Sequence, residues 1–256
     1  MAAVFSTNAW YIIISFLPAF IWLAFYLRED SRPEPKRLLF LVFVGGMISA
    51  VFSIVAELLL FGDCQVPGDL ARPCFEGILP FVFPSLTLVA LPFLVFLGIA
   101  FIEEYFKYGA VKILVLRRPE FDEPIDAMIY MITSALGFAA LENALFIVPN
   151  LAKNFDVGLQ LTANRFIGAN LLHATASGIV GYFLARAFFS HYRHHFLAIG
   201  IVLAVLLHTS FNYLIIKKEL LPTNIDLLIV LLSMMTLTVL IEFEQLKMKN
   251  NPTKQT

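Results

Sequence analysis

The stretch GIAFIEEYFKYGAVKIL, residues 98–114, reads as a lipid-buried helix, yet it carries Glu103, Glu104, Lys107 and Lys112. A charge at bilayer depth costs about 2.5–3.5 kcal/mol on insertion scales, so an ionisable group inside a span points to function by default. Outward from this stretch, long apolar runs fill the rest of the chain. Of 256 residues, 59% are hydrophobic and only 14% are charged, against roughly 25% charged in soluble domains. The composition implies an all-α fold, a polytopic transmembrane helical bundle forming one integral-membrane domain over 1–256. Its expected surroundings are the lipid bilayer; no basic cluster suggests a nucleic-acid partner.

Runs of about 20 apolar residues predict seven spans, near 8–27, 38–60, 96–116, 126–148, 166–188, 196–216 and 224–242. No Lys or Arg precedes the first apolar run, so the N-terminus reads as a retained span and not a cleaved leader. The loops after spans one, three and five, with the C-terminal tail, hold Arg28, Arg32, Lys36, Arg37, Arg117, Arg118, Arg186, Arg193, Lys247, Lys249 and Lys254. The opposite loops hold only Arg72, Lys153, Arg165, Lys217 and Lys218. By the positive-inside rule the N-terminus is expected outside and the C-terminus in the cytoplasm. Segment 78–95 is apolar but broken by Pro80, Pro84 and Pro92. Counting it as an eighth span would turn the basic 28–37 loop outward, so it reads as a re-entrant or tilted segment covered by protein. Cys64 and Cys74 bracket the loop before it, which this topology places outside. They form either a disulfide there or two free thiols in a reducing compartment; with no second pair, they do not make a zinc site.

Four spans carry polar groups deep inside. Span three has Glu103, Glu104 and Lys107; span four has Glu142 and Asn143 in GFAALENALF; span five has His173 in NLLHATASG; span six has His208 and Asn212 in LLHTSFNYL. At about 1.5 Å per residue from the basic end, Glu103 and His208 stand roughly 20 Å up, and Glu142 and His173 about 24 Å. In a core about 30 Å thick, all four share a level in the outer half, although spans three and five run opposite to four and six. Helical phase puts His208 with Asn212 on one face, and Glu103 with Lys107. Taken singly, each has a plain reading: Lys107 can neutralise either carboxylate within its own helix, and a lone histidine can simply link helices. Together, two carboxylates, two imidazoles and a carboxamide from four helices at one level are costly as architecture alone. Glu57 and Asp63 read as solvated near the outer interface. The histidines of HYRHH (His191, His194, His195) read as facing headgroups or water. Arg165, at the outer boundary, either snorkels or reaches the cluster.

The strings EEYFK, DAMIYMITSALGFAALEN, LLHATASGIVGY and HTSFN resemble, in order and spacing, the motifs of the PrsW family of intramembrane proteases. The resemblance covers roughly 98–215. That family belongs with the CAAX prenyl proteases and abortive-infection-type membrane proteins, whose pattern is EExxxR, FxxxH and HxxxN. Here the basic residue is Lys107, one position earlier than the group's Arg, and Glu142 after Phe138 stands where the group has His. Both departures look like the PrsW branch and tell against a prenylated substrate. The resemblance implies a bacterial plasma-membrane peptidase with a catalytic core near 96–216. It would cut a membrane-anchored protein, for instance a regulator such as an anti-sigma factor.

Amide hydrolysis needs an activated water and an oxyanion stabiliser. In the preferred reading Glu103 is the general base, Glu142 or His173 orients the water, and His208 and Asn212 stabilise the oxyanion. Lys107 then holds Glu104 ionised, and Asn143 supports. In the second reading Glu103, Glu142, His173 and His208 hold a divalent metal ion such as zinc, with one position left for water. No HExxH motif is present, and ligands from separate helices leave the choice open. Two other classes use the same residues: a transporter or proton relay, against which no repeat relates the two halves, and an inactive membrane scaffold.

Overall fold

The computed structural model describes residues 2–30, 32–61, 91–187, 193–217 and 223–250. Its helices are α1 (Ala2–Tyr26), α2 (Lys36–Phe61), α3 (Leu91–Leu114), α4 (Pro124–Lys153), α5 (Phe155–Ile167), α6 (Ala169–Ala187), α7 (Arg193–Lys217) and α8 (Thr223–Asn250), and no strand occurs among the described residues. Among the described residues, six helical segments are long and apolar enough to cross a membrane, with α5 and α6 counted together. To these α3 adds 24 residues of similar length, set apart by its four charged side chains. The protein is a helical bundle and an integral membrane protein.

Helix α4 is the axis of the bundle. Every residue from Pro124 to Ala140 is buried, as expected for a helix apolar on all sides. Its start is well specified: Pro124 occupies the first turn, where its missing N–H costs nothing, and Glu123 and Asp126 form a reciprocal capping box. Small residues let other helices close on it. A methyl group added to Gly46 of α2 would overlap the Ser134 carbonyl of α4, and one added to Gly137 would overlap the Phe43 carbonyl. Such backbone approach takes the place of the hydrophobic drive that is missing between helices in lipid. Exposed apolar side chains such as Ile113 and Phe40 cover the outside, where acyl chains are their solvent.

Helices α2 and α3 run antiparallel. Phe52 stacks on Phe106 with ring centroids 6.3 Å apart, and Gly98 lies under the Phe61 ring. Thus α2 ends and α3 begins at the same end of the bundle, as a count without an eighth full span requires. The basic segments gather at the other end. There Arg32 pairs with Glu123, Tyr130 donates to Glu34, and Lys247 Nζ lies 2.6 Å from Glu29 Oε2.

Four expectations change. Helix α3 begins at Leu91, so residues 91–95 of the proline-broken segment are helical, with Pro92 in a first turn that tolerates it; residues 78–90 lie outside the described residues. Glu103 therefore stands near the middle of its helix. Residues 155–165, expected between spans four and five, form α5 together with 166–167: Asn154 caps it by accepting from the Asp156 and Val157 amides at 3.0 and 3.2 Å. Of HYRHH, His194 and His195 lie in the first turn of α7, and His191 is outside the described residues. Glu57 is only partly exposed and accepts from Ser53 Oγ at 2.9 Å. Cys64, Cys74 and Asp63 also fall outside the described residues.

Candidate active site

Helical periodicity on four elements brings the polar groups of the cluster to one place. On α3, Lys107 follows Glu103 and Glu104 by four and three residues, so one ammonium serves both carboxylates. Its Nζ lies 3.2 Å from Glu103 Oε2 and 2.8 Å from Glu104 Oε1. On α4, Phe138 and Glu142 are a turn apart: the Phe138 ring lies under Lys107 Nζ, 4.3 Å from its centroid, and Glu142 stands beyond. On α6, His173 and Ser177 are likewise one turn apart, and both point inward. His208 enters from α7, its ring edge-on to His173 with centroids 5.1 Å apart.

Each imidazole is held between two charged groups. His173 Nδ1 is 2.8 Å from Lys107 Nζ, and its Nε2 is 2.9 Å from Glu142 Oε2. An ammonium can only donate, so Nδ1 accepts and Nε2–H donates to Glu142. His208 Nδ1 is 3.2 Å from Glu104 Oε1, which assigns that proton to Nδ1 and leaves Nε2 as a lone pair. Glu104 is fully buried, and Ser177 Oγ donates to its second oxygen at 2.7 Å. Both rings also approach one carboxylate oxygen: His173 Nδ1 and His208 Nε2 are each 3.7 Å from Glu103 Oε2.

Arg165 was one of two open readings in the sequence; the structure turns it inward. From α5 its guanidinium pairs with Glu142 Oε2 at 2.8 Å and donates from Nε to Asn143 Oδ1 at 2.6 Å. Asn143 donates to Asn170 at 3.2 Å, and Asn170 returns a bond to the Arg165 carbonyl at 2.8 Å. Trp22 of α1 donates to the Phe166 carbonyl at 2.7 Å, tying α5 down. Sequence reasoning missed Ser177 and Asn170, although each sits one turn from His173 on the same helix, which is the signal that could have found them. Glu57, expected to be solvated near the outer interface, is close enough to Glu142 and Lys107 to feel their charges. Asn212 is half-buried and makes no hydrogen bond among the described residues.

Glu103, His173 and His208 are the only group of metal-ligating side chains found among the described residues, with donor atoms all within 4.8 Å of one another. Two histidines and a glutamate form a known catalytic zinc donor set, and at metal–ligand distances near 2.0 Å tetrahedral donors stand about 3.3 Å apart. The two 3.7 Å separations here are near that value, and an ion would displace Lys107 Nζ from His173 Nδ1 and Glu103 Oε2. Glu142 lies outside this group, on the far ring nitrogen of His173. The partners of these residues also suit a metal, since each imidazole has a carboxylate on its other nitrogen, Glu142 for His173 and Glu104 for His208. Charge agrees: three carboxylates against Lys107 and Arg165 leave one formal negative charge, and Glu57 makes it two. The residues fit a divalent cation.

Comparison with known proteins agrees with this chemistry. Residues 34–241 match the family described as PrsW family intramembrane metalloprotease. The chain is 28% identical over 196 residues to Protease PrsW of Geobacillus kaustophilus, covering 76% of this chain and 74% of the relative. It is 25% identical over 199 residues to Protease PrsW of Oceanobacillus iheyensis, covering 77% and 79%. To Protease PrsW of Clostridioides difficile it is 22% identical over 209 residues, covering 79% and 78%. No solved structure matches.

Proposed function

Since the chain belongs to the PrsW family of intramembrane metalloproteases, and is therefore a peptidase, we propose how its cluster cuts a peptide bond and where. The observation that carries the proposal is the convergence of His173 Nδ1 and His208 Nε2 on Glu103 Oε2. These three side chains would hold one divalent cation, such as zinc. Such an ion supplies Lewis acidity, polarising the scissile carbonyl and raising the acidity of the attacking water.

The chain's other residues divide the remaining work. Glu104, anchored by Ser177 and Lys107, orients His208 through its Nδ1 proton. Glu142 does the same for His173 and is the carboxylate that water reaches most directly, its side chain 23% exposed against 9% for Glu103. Both of its recorded contacts use Oε2, so Oε1 is left to take a proton from the water and return it to the leaving amine. Arg165 holds Glu142 in place through their ion pair. Asn212, a turn beyond His208 and uncommitted, is the proposed donor to the oxyanion; Asn143 supports Arg165.

A second reading rests on one specific contact. Lys107 Nζ sits on both Glu103 and His173 Nδ1, and a cation already there leaves Glu103 to act as general base without a metal. Metal analysis of the purified protein, with chelation and re-addition during cleavage of a single-span substrate, separates the two. About one ion per chain, lost in His208→Ala, supports the metal; full activity in metal-free protein assigns the base role to Glu103.

The proposed orientation follows the basic end, which holds the residue-28–37 segment and the end of α8: this end faces the cytoplasm and the N-terminus lies outside. The proposed setting is a bacterial plasma membrane. His173 lies only four residues from the outer end of α6, so water has a short path from outside. Substrates are then membrane-anchored proteins, with regulators such as anti-sigma factors as a candidate class, cut in the outer half of their spanning helix. Mapping the cut by mass spectrometry tests this, and a cut in the cytoplasmic half overturns it.

A further inference from the structure

At the basic end of the bundle, away from the cluster, a cavity of about 520 Å³ opens where three helices terminate. Lys112 comes from the last turn of α3, Ala187 is the last residue of α6, and His194 lies in the first turn of α7. Three helices ending together in a membrane protein mark the water interface. Lys112, Arg117 and His194 line the cavity, and no carboxylate does. None of the three enters an ion pair among the described residues; Lys112 only leans over the Tyr108 ring, 5.8 Å from its centroid. The amino end of α7 adds the positive pole of its helix dipole. The remaining wall is apolar, with Leu116, Leu184 and Leu197 beside the ring of Phe121.

A soluble anion would use the cations and leave the leucines wet. An acyl chain alone would use the leucines and leave the cations without a counter-charge. We propose that this cavity is a binding site for an anionic phospholipid. Its phosphate lies among Lys112, Arg117 and the α7 amino end, and the upper part of one acyl chain lies against the leucines. Basic recesses between spanning helices on the cytoplasmic side are suited to acidic headgroups. The site is independent of the proteolytic reading, because none of its residues belongs to the cluster.

The test uses the full chain in phosphatidylcholine nanodiscs, titrated with phosphatidylglycerol vesicles and read by native mass spectrometry for retained lipid. The expected result is selective retention of phosphatidylglycerol over phosphatidylcholine. The Lys112→Gln/Arg117→Gln double variant should weaken it about thirtyfold while leaving thermal stability in pure phosphatidylcholine unchanged. Arg117→Gln alone, at an exposed position, should show an intermediate loss and guards against misfolding of the double variant. Equal retention of both lipids, or undiminished retention by the variants, overturns the proposal. Displacement of the lipid by equimolar inorganic phosphate also overturns it, assigning the site to a free anion.

Discussion

The two ends of α4 both gather carboxylates, and they hold them in opposite ways. Around Glu142 the acids of the cluster meet the buried Lys107, the half-buried Arg165 and two imidazoles, drawn from α3 to α7. Around Asp126 the acids mainly meet one another. Glu34 shares a hydrogen bond with Asp126 and accepts from the Tyr130 hydroxyl, Asp126 caps the helix through the Asp122 and Glu123 amides, and Arg32, which pairs with Glu123, has a side chain 79% exposed. Burial pushes the Glu34 carboxyl above its ordinary range, with the Asp30 and Asp122 charges adding to it, while the Tyr130 and Asp126 hydrogen bonds oppose. Carboxylates near one another thus make either a site or a cap. Fixed cations and two imidazole nitrogens gathered about one carboxylate oxygen distinguish the first.

The sharpest way to break this comparison is to remove a group that faces Glu103 Oε2. Glu103→Gln and His208→Ala should each lower cleavage of a membrane-anchored substrate by about 10²–10⁴-fold, with insertion and helicity by circular dichroism retained. Wild-type rates in Glu103→Gln would remove that residue from both mechanisms.

Arg165→Gln comes next. It removes the guanidinium that fixes Glu142 but no group facing Glu103, and should cost about 10–100-fold in activity, as loss of a supporting partner does. If Arg165 only anchored α5, thermal stability would fall and kcat of the folded protein would hold; a role in positioning Glu142 predicts a lower kcat with KM and thermal stability little changed.

A third test asks whether the frame that carries both ends is set by close backbone approach. Gly137→Leu drives a side chain into the Phe43 carbonyl, and such overpacking typically costs about 1–3 kcal/mol. Unfolding in mixed micelles should show it, with activity at low temperature less affected than by Glu103→Gln.

The smallest effect is expected at the Asp126 end. A carboxyl whose folded pKa is raised contributes stability that is fully present below its ordinary pKa and is lost as pH rises through the folded value. As pH rises above about 4.3, the ordinary glutamate value, wild-type thermal stability should therefore decline more than that of Glu34→Gln, whose amide oxygen still accepts from Tyr130. Cleavage should be unchanged in the variant. A large loss of activity there would erase the distinction between the two ends.

Much of this architecture was legible without coordinates because a bilayer imposes simple rules. Apolar length locates spans, the basic residues of the loops sort their ends, and the cost of burying charge makes Glu103, Glu142, His173 and His208 conspicuous. Counting residues from the basic end placed those four at one level, and a rise of about 1.5 Å per residue was enough for that. Within a helix, the three- and four-residue spacings already paired Lys107 with both carboxylates.

What only the tertiary structure decided concerns rotation and reach. The level of a side chain follows from its position along a helix; the direction it faces depends on how neighbouring helices pack. So the sequence could not say that His173 turns Nδ1 to Lys107 and Nε2 to Glu142, or that Ser177 completes Glu104. It left Arg165 undecided because a long side chain at a span's edge can reach water or the interior with similar ease. The answer came from α5, a helix of modest hydrophobicity capped by Asn154 and held by Trp22, which lays the guanidinium against Glu142. Composition and periodicity determined that charges share a depth in this membrane protein; packing between helices decided which atoms of those charges meet.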